Sequence, residues 1–334
     1  MKRSDARSRN QSNPRTVRIG VVSTSFPVPS NPSSGVFVQS LLHHLPDDVL
    51  ATVLIPCPRG GLERKREEKI KVICFSYGPR SMLRLAHRPG GIPDAIRRRD
   101  LSLVLLPLFV PAMLLACIRL AARVDVIHGN WSGPGLIGAI AARLMGRPAV
   151  ATLRGSDVER AKHSRVFRWI LHACLSLNSR TVVVSEQMQQ NLRQQFPQYA
   201  ARIAFIPNGV TIRDIDVSKR FRTPVRLITI SNLIASKRVD ILLHALVAPR
   251  ASSGLILRII GDGPERRRLE TLTLALGISD RVEFVGQVPP AEIQKNLDWA
   301  DIFVFASESE GRPNVILEAM AAGLPVIASN IAAH

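Results

Sequence analysis

Short apolar runs, separated by turn-rich loops and by stretches of helical periodicity, recur along most of the chain. Runs of about four to eight apolar residues bounded by turn signals predict buried strands. Such runs occur at Val17–Ser23, Val49–Pro56, Lys71–Ser76, Val124–His128, Ala149–Leu153, Val182–Val184, Ile203–Ile206, Val225–Ser231, Leu257–Ile260, Val282–Val288, Asp301–Ala306 and Leu324–Ala328. Strands that alternate with helices predict α/β domains with doubly wound parallel sheets.

The strand pattern restarts in the second half of the chain. Val225–Ser231 repeats the pattern of Val17–Ser23, and both lead into a loop and an apolar-faced helix. A Pro-Asn-Gly turn closes the strand before this restart, and 334 residues suffice for two ordinary domains. We therefore predict an N-terminal domain over 17–208 and a C-terminal domain over 209–334. A basic, polar tail over 1–16 precedes them and lacks the apolar core of a secretory signal.

The loop and helix after Asp301–Ala306 are the strongest candidate site. Gly311 and Pro313 mark a turn, and the pattern predicts a helix from about Pro313 to Ala322 that ends at a Gly323 cap. Open parallel sheets bind ligands at the carboxyl ends of their strands. Unpaired N–H groups at a helix start favour phosphate or sugar oxygens, so this loop is predicted to bind an anion or a polyol.

Two carboxylates accompany this helix start. Glu310 lies in the loop and Glu318 in the second turn of the helix, so each can accept hydrogen bonds from a pair of hydroxyls. Alternatively, Glu310 is a helix-start charge and Glu318 is a solvated residue. The apolar neighbours of Glu318 argue against solvation, since Leu317, Ala319 and Met320 surround it in the sequence.

The segment Ser309–Ser329, with seven residues between Glu310 and Glu318, resembles the E-x7-E signature of retaining glycosyltransferases of the GT-B fold, family 4. The resemblance implies two Rossmann-like domains that face a cleft. In that family the first glutamate contacts the transferred sugar and the second binds the nucleotide ribose, which assigns these roles to Glu310 and Glu318. It also implies that four residues between them bind the donor: Gly311, Arg312, Pro313 and Asn314.

A second segment, Ser231–Asp240, resembles the donor-phosphate loop of the same family. A diphosphate leaving group needs a cationic partner, and the resemblance assigns that role to Lys237. Asn232 is also placed at the donor, but the family often has an arginine at this position. The missing charge could be replaced by Arg238 or by Arg312.

Two glycines lie in turns that resemble other parts of the family's ligand site. Gly263 belongs to a Gly-Asp-Gly-Pro turn similar to the one that borders the nucleotide. Gly35 opens a helix after a Pro- and Ser-rich loop, where the missing side chain lets the backbone approach a ligand. Its Gly-Val-Phe-Val sequence resembles the acceptor-side loop of the family. Many strand–loop–helix units need a glycine for geometry, so Gly35 also fits a structural role.

Polar residues at the ends of two N-terminal strands extend the resemblance. His128 lies in a D-V-I-H-x-x-W string, in which the family's histidine sits at the transferred sugar. A lone histidine is more often structural, so its assignment depends on the whole string. Arg154-Gly-Ser-Asp157 resembles an acceptor-side loop, which makes Arg154 and Asp157 candidates for acceptor contacts.

The resemblance implies transfer of a sugar from a nucleotide-diphosphate sugar, with uridine favoured, to a hydroxyl of a lipid-linked or polysaccharide acceptor. Attack and departure occur on the same face, and the leaving phosphate helps to take the acceptor proton. GT-B enzymes do not depend on a metal motif, so we predict metal independence and no cofactor.

The alternatives are a phosphorylase or sugar-nucleotide hydrolase of the same fold, or a non-catalytic scaffold at a membrane. Members of the family extend further, so the C-terminal domain is expected to be incomplete.

The formal net charge of +19 points to an anionic partner. Low aromatic content, 5%, and the lack of a recognisable module argue against nucleic acid. An anionic membrane surface and phosphate-bearing substrates remain, and an Arg-rich composition without any partner is the alternative.

Four scattered cysteines without a Cys-x-x-Cys pair predict buried free thiols in a reducing, cytoplasmic compartment, with no disulfide or metal site.

The apolar run Leu101–Ile118 is the one candidate membrane segment. It is close to the minimum length for spanning, but two prolines interrupt it and Arg119 and Arg123 end it. Strands flank it on both sides, so we predict a buried or half-buried helix. A basic stretch with arginines between 80 and 99 precedes it, and a second lies between 59 and 71. Each basic stretch is predicted to be a solvated face, with docking of the helix on an anionic leaflet as the alternative.

Overall fold

The structure, a computed structural model, describes residues 16–29, 31, 34–58, 69–79, 85–86, 92, 101–212, 223–248, 254–310 and 312–331. Four predictions therefore concern residues outside the described part of the chain, wholly or largely. They are the tail over 1–16 apart from Thr16, most of the basic stretch over 59–71, the basic residues between 80 and 99, and Gly311.

The first half of the chain forms a seven-stranded parallel sheet. Its strands are β1 (Val17–Val22), β2 (Val49–Pro56), β3 (Ile70–Phe75), β4 (Val126–Asn130), β5 (Ala149–Leu153), β6 (Arg180–Val183) and β7 (Ile203–Phe205). The helices are α1 (Val36–His43), α2 (Leu106–Ala121), α3 (Ser132–Leu144), α4 (Ser156–His163), α5 (Arg165–Leu177) and α6 (Glu186–Gln195). Short 3₁₀ helices cover Leu101–Leu105 and Pro197–Arg202.

The second half forms a five-stranded parallel sheet. Its strands are β8 (Val225–Ile230), β9 (Leu255–Ile260), β10 (Val282–Gly286), β11 (Ile302–Phe305) and β12 (Val326–Ala328). The helices are α7 (Val239–Leu246), α8 (Arg266–Ala275), α9 (Pro290–Trp299) and α10 (Asn314–Ala321), and a 3₁₀ turn covers Ala235–Lys237. Each apolar run that predicts a strand therefore contains one, with ends displaced by a few residues.

The two sheets share one topology. The strand order is β3-β2-β1-β4-β5-β6-β7 in the first and β10-β9-β8-β11-β12 in the second. In both, the order reverses beside the first strand of the half, and loops from the carboxyl ends of the adjoining strands meet there. The predicted architecture of two doubly wound parallel sheets is confirmed.

One hydrogen-bonded pair occurs at the same place in both sheets. The backbone N–H of Arg18 donates to Asp125 Oδ2 at 2.8 Å, and the N–H of Arg226 donates to Asp301 Oδ2 at 2.9 Å. Each aspartate N–H donates to the carbonyl of the matching arginine at 2.8 Å. The repeat seen in the sequence of the two first strands is therefore repeated in their contacts.

Helix α2 packs on the first sheet with one face and leaves another apolar face exposed. Phe109, Met113 and Cys117 are buried against the sheet. The opposite side carries a row of exposed residues at helical spacing, here called the apolar stripe: Leu101, Val104, Leu108, Pro111 and Leu115. Within α2, Leu108 is 56% and Leu115 54% exposed, so the prediction of a half-buried helix describes α2.

Among the described residues, Leu103–Ala121 is the stretch long and apolar enough to cross a membrane, and 22% of it is buried in the protein. The strands on either side, β3 and β4, both belong to the seven-stranded sheet. A spanning helix would place these two strands on opposite sides of a bilayer, which the sheet does not permit.

The prediction of four free thiols is wrong for Cys57 and Cys74, which form a disulfide. Cys57 follows β2 and Cys74 lies in the neighbouring strand β3, so the pairing of these strands brings the two Cα atoms within 4.8 Å. Spacing along the sequence does not reveal this register. Cys117 and Cys174 are buried free thiols, and burial raises the pKa of both, that of Cys117 to about 12.

Candidate functional site

The predicted loop and helix form at the carboxyl end of β11. Helix α10 begins at Asn314, directly after Pro313, and Gly323 adopts a left-handed φ of 74°. The N–H of Gly323 donates to Met320 O and that of Leu324 to Ala319 O, both at 3.0 Å, the pattern of a Schellman cap. The predicted helix and its glycine cap are confirmed. The loop that carries Glu310 leads into the start of α10, where the first N–H groups have no partner within the helix.

Lys237 and Glu310 are in contact at this helix start. Lys237 Nζ donates to Glu310 Oε1, and both side chains are largely buried, with 17% and 13% of their surfaces exposed. The ammonium also lies 5.7 Å from the ring centroid of Phe305. The N–H of Glu308 donates to Ser236 O at 2.9 Å, which joins the two loops. The structure therefore brings together the cation and the carboxylate predicted for the donor.

Gly263 belongs to a turn that packs directly on the Ser231–Leu233 loop. A Cβ at Gly263 would lie 2.3 Å from Leu233 O. The N–H of Leu233 donates to Asp262 O at 2.9 Å, and the N–H of Glu265 donates to Leu233 O at 3.0 Å. The glycine is required because two loops at neighbouring strand ends meet without room for a side chain.

The other predicted donor-side cations are engaged in structural contacts. Arg238 adopts a left-handed φ of 47° and pairs with Asp240 and Glu308. Arg312 Nη1 donates to Val184 O in the other sheet at 3.5 Å. Asn232 is exposed and carries no charge. Lys237 is the cation paired with Glu310, and replacement by Arg238 or Arg312 of the charge that Asn232 lacks stays a prediction.

Glu318 is half-buried on the second turn of α10. Burial raises the pKa of its carboxyl above the usual value, as expected for a carboxylate that is not surrounded by water. The solvated alternative is therefore disfavoured. A hydrogen-bond donor such as a ribose hydroxyl would offset the cost of this burial.

The prediction that His128 ends its strand is wrong, because β4 continues to Asn130 and His128 is its third residue. Its Nε2 lies 2.8 Å from Thr152 Oγ1 on the neighbouring strand β5. Burial, together with the smaller effect of the nearby Arg154 charge, lowers the pKa of His128 to about 4. The imidazole is therefore neutral at physiological pH, when it can donate one hydrogen bond and accept one.

Arg154 and Asp157 lie in the next loop and differ in their surroundings. Arg154 Nη2 donates to Asn130 Oδ1 at 2.8 Å, and its guanidinium stacks 4.6 Å above the centroid of Phe37. The Asp157 carboxylate is buried and accepts backbone N–H groups of Ser132, Gly155 and Val158 at 2.9 to 3.1 Å. Asp157 therefore fixes the starts of α3 and α4, and an acceptor contact by either residue stays a prediction.

The backbone at position 35 requires a glycine for structural reasons. It adopts a φ of 67°, and a Cβ there would lie 2.2 Å from the carbonyl oxygen of Ser25. Phe37, two residues later, meets Trp131 edge-to-face at 5.7 Å. Gly35 thus places an aromatic corner beside Arg154, and a direct ligand contact by its backbone stays a prediction.

Three polar residues that the sequence reasoning missed connect the predicted ones. Thr152 partners His128, Asn130 partners Arg154, and Asn208 joins Arg154 to Asn314 across the two sheets. The side-chain hydroxyl of Thr181 on β6 is also buried, and it has no hydrogen-bond partner among the described residues. Their position in the sequence could have identified Thr152 and Asn130 as candidates, since both lie at the carboxyl ends of core parallel strands.

No group of three or more His, Cys, Asp and Glu side chains suited to a metal ion occurs within the described ranges. The chain does contain an Asp-x-Asp triplet, Asp214-Ile215-Asp216, but it lies outside those ranges. Metal independence therefore stays a prediction.

Comparison with protein-family models identifies the class of protein. A model described as Glycosyltransferase Family 4 matches residues 34–214, more than half of the chain. The chain belongs to glycosyltransferase family 4. A second model, Glycosyl transferases group 1, matches residues 211–333 of this family 4 chain.

Curated relatives of the family 4 chain are similar over parts of it. The exopolysaccharide phosphotransferase SCO2592 of Streptomyces coelicolor is 35% identical over 156 residues, 45% of this chain and 16% of that protein. A GDP-mannose-dependent alpha-(1-6)-phosphatidylinositol monomannoside mannosyltransferase of Mycobacterium tuberculosis is 33% identical over 149 residues, 39% of each chain. The family 4 chain thus spans well under two thirds of the length of these relatives.

Solved structures match nearly the whole family 4 chain. Sucrose-phosphate synthase of Thermosynechococcus elongatus aligns with a TM-score of 0.74 at 21% identity, covering 94% of this chain and 82% of that one. Anabaena HepE, solved in complex with UDP-glucose, aligns with a TM-score of 0.65 at 20% identity, covering 95% and 81%. At this identity the likeness shows the fold alone, and the predicted GT-B fold is confirmed.

Proposed function

We propose that the chain transfers a sugar from a nucleotide-diphosphate sugar to an acceptor hydroxyl with retention of configuration. The observation that carries the proposal is the contact of Lys237 with Glu310 at the start of α10. A cation paired with the loop that leads into a helix start is suited to the negative charge that develops on a departing diphosphate. The carboxylate beside it can accept hydrogen bonds from the sugar hydroxyls.

Each predicted residue has a role that its surroundings permit. Lys237 and the N–H groups of α10 stabilise the leaving diphosphate, and Glu310 orients the sugar. His128, neutral at physiological pH, donates a hydrogen bond to the sugar while its other nitrogen accepts one. Glu318 accepts the ribose hydroxyls. The acceptor enters from the side of Arg154, and the leaving phosphate takes the acceptor proton.

The relatives support the substrate classes without defining them for this chain. One neighbour was solved with UDP-glucose, whereas the mycobacterial relative depends on GDP-mannose. We propose a uridine donor on the first of these. Names of the relatives point to an exopolysaccharide in one case and a phosphatidylinositol glycolipid in the other, so we propose a lipid-linked or polysaccharide acceptor.

Donor binding tests the proposal. UDP, GDP, UDP-glucose and GDP-mannose are titrated by calorimetry, and UDP is expected to bind. Glu318→Ala should weaken UDP binding by about tenfold, because a charge-assisted hydrogen bond contributes about 1.5 to 3 kcal/mol. Glu292→Ala, an exposed carboxylate on α9, is the matched control and should leave the affinity unchanged.

The outcomes separate the alternatives. Wild-type affinity in Glu318→Ala would contradict the ribose role. Release of free sugar from the nucleotide sugar without an acceptor would favour the hydrolase. Absence of binding to all four compounds would favour the non-catalytic scaffold.

We also propose that the chain acts at the cytoplasmic face of an anionic membrane, docked through α2. The apolar stripe runs for about 20 Å along the helix surface at 1.5 Å per residue. It ends beside Arg119 and Arg123, both exposed. Basic side chains next to an exposed apolar helix face are suited to an interface with anionic lipid.

A groove between α2 and β3 continues this surface. It has a volume of about 540 Å³ and an apolar floor that includes Leu54, Phe75 and Leu120. Lys71, Arg119 and Arg123 also line the groove, and no carboxylate of the described residues does. Its charge is therefore complementary to a lipid phosphate.

A further inference from the structure

A chain of side-chain hydrogen bonds links the two halves of the molecule. Arg154 Nη1 donates to Asn208 Oδ1 at 2.8 Å, and Asn208 Nδ2 donates to Asn314 Oδ1 at 2.7 Å. Arg154 follows β5, Asn208 follows β7, and Asn314 is the first residue of α10. The chain therefore runs from the loop next to His128 to the start of the donor helix.

The chemistry of arginine fixes the direction of this chain. A guanidinium has only donors, so the side-chain oxygen of Asn208 must face Arg154. The Asn208 amide nitrogen then faces Asn314, and it requires the oxygen of Asn314 in return. The Asn314 amide nitrogen makes no hydrogen bond to the described residues and is left as a donor at the helix start.

The anchor of the chain is rigid. Arg154 is held by Asn130 on one side and by the ring of Phe37 on another. Its pKa is lowered to about 10 by burial, against the opposing charge of Asp157, so it stays protonated at neutral pH. Because these contacts hold Arg154 in place, they also fix the orientations of the Asn208 and Asn314 side-chain amides.

We propose that Arg154, Asn208 and Asn314 form a polar latch, which positions α10 against the seven-stranded domain and keeps the Asn314 amide nitrogen facing the donor. The ligand class is an oxygen-rich anion, and the bonded oxygen belongs either to the diphosphate or to the sugar. The latch rests on the proposed function for its ligand. Its hydrogen bonds do not depend on that function.

Two substitutions of Asn208 separate the two tasks of the latch. In Asn208→Asp the carboxylate keeps the contact with Arg154 but can no longer donate to Asn314, so the Asn314 amide turns over and presents its oxygen to the ligand. In Asn208→Ala the link is broken, and Asn314 is free to take either orientation.

The two variants should therefore fail differently. Asn208→Asp should weaken UDP binding by about tenfold, since a donor is replaced by an acceptor facing an anion. Asn208→Ala should keep the KM for the donor within about twofold and lower kcat, because positioning across the cleft is lost. Asn191→Asp and Asn191→Ala, at an exposed site on α6, are the matched controls and should change neither quantity.

A double-mutant cycle links the effect to Asn314. If Asn208→Asp acts by turning the Asn314 amide, it should cost nothing further once Asn314→Ala has removed that amide. Additive losses in the double variant, or wild-type affinity for both UDP and UDP-glucose in Asn208→Asp, would overturn the latch. A tenfold loss with UDP identifies a diphosphate oxygen, and a loss confined to UDP-glucose identifies a sugar oxygen.

A ligand-free measurement keeps the latch testable if the proposed function fails. If the wild-type protein binds none of the nucleotides, that result contradicts the proposed function. The hydrogen bonds between Arg154, Asn208 and Asn314 can still be tested without a ligand. Amide hydrogen exchange over 206–212 and 312–318 should then be faster in Asn208→Ala than in wild type and in Asn191→Ala. Equal exchange rates would overturn the link between the two sheets.

Discussion

His128 lies in the middle of β4, where its ring is partly buried and hydrogen-bonded to Thr152. Burial is the largest cause of its low pKa, about 4, and the positive charge of Arg154 adds to it. A neutral imidazole next to a fixed guanidinium can serve as a hydrogen-bonding group over a wide pH range. We therefore expect no change in the protonation of this residue between pH 6 and pH 8.

This environment predicts an acid sensitivity. Below about pH 6.5 the histidine of the unfolded chain takes up a proton, whereas His128 in the folded protein stays neutral down to about pH 4. Proton uptake therefore favours the unfolded state, and the free energy of unfolding should fall as the pH is lowered through this window. Urea unfolding at several pH values measures it.

His128→Gln should remove that part of the pH dependence. His172→Gln, at an exposed histidine on α5, is the control and should follow the wild-type curve. Parallel curves for wild type and His128→Gln would show that the imidazole is protonated equally in both states.

Site residues divide by how they could be predicted. Some site residues belong to short segments that a sequence motif describes completely, so the motif is enough to predict them. They are Glu310, Glu318 and Lys237. Asn208 acts on residues 54 and 106 positions away along the chain. Only the pairing of the two halves creates its contact with Asn314, so no local pattern could reveal it.

Among the elements, the turn after β9 shows most directly how a glycine positions the site. Gly263 lies where two loops touch, with room for hydrogen only. Gly133, in the first turn of α3, has open space around it, since a Cβ there would have no heavy atom within 4 Å. The same substitution therefore has opposite consequences at the two places.

Gly263→Ala should destabilise the protein by about 2 kcal/mol, because the methyl group must push Leu233 and its loop away. Gly133→Ala should be neutral or stabilising by up to about 1 kcal/mol, since alanine is the better helix former. Denaturant unfolding compares the two. A Gly263→Ala protein as stable as wild type would show that the loops separate without cost.

Elements with strong periodicity were predictable, and those set by tertiary pairing were not. The strands and helix α10 follow from apolar runs and from glycine and proline signals. The 3₁₀ start of α2 and the disulfide between Cys57 and Cys74 depend on how β2, β3 and α2 pack. The apolar run Leu101–Ile118 predicts a helix, but not which of its faces meets the sheet.

At the scale of the whole molecule, the apolar stripe and its arginines predict binding to anionic bilayers. Sedimentation with phosphatidylcholine vesicles that contain phosphatidylglycerol should carry the protein down, and phosphatidylcholine alone should not. Leu108→Gln should weaken this binding, and Arg119→Gln should weaken it about fivefold, since each basic residue near such a surface contributes about 1 kcal/mol.

Leu274→Gln is the matched control, because Leu274 is also an exposed leucine but lies on α8 of the other half. It should sediment like wild type. Equal loss in Leu108→Gln and Leu274→Gln, or no sedimentation with any vesicle, would contradict docking through α2. High salt should release the protein, because the electrostatic part of the attraction is screened.

The arrangement in two halves could be predicted because the first strand of each half has the same pattern, and Arg18 and Arg226 even make the same contact. The way the halves face each other could not. It depends on a few polar contacts, such as Arg312 with Val184, whose members lie 128 residues apart.

The neighbour of Asn208 gives the latch a limited chemical lifetime. Asn208 is followed by Gly209, whose backbone nitrogen has no side chain to shield it. In Asn-Gly pairs that nitrogen attacks the amide carbon, ammonia leaves, and water opens the cyclic imide to aspartate or isoaspartate. Storage of the purified protein would thus produce the Asn208→Asp change without mutagenesis, and the deamidated fraction seen by mass spectrometry should rise as nucleotide affinity declines.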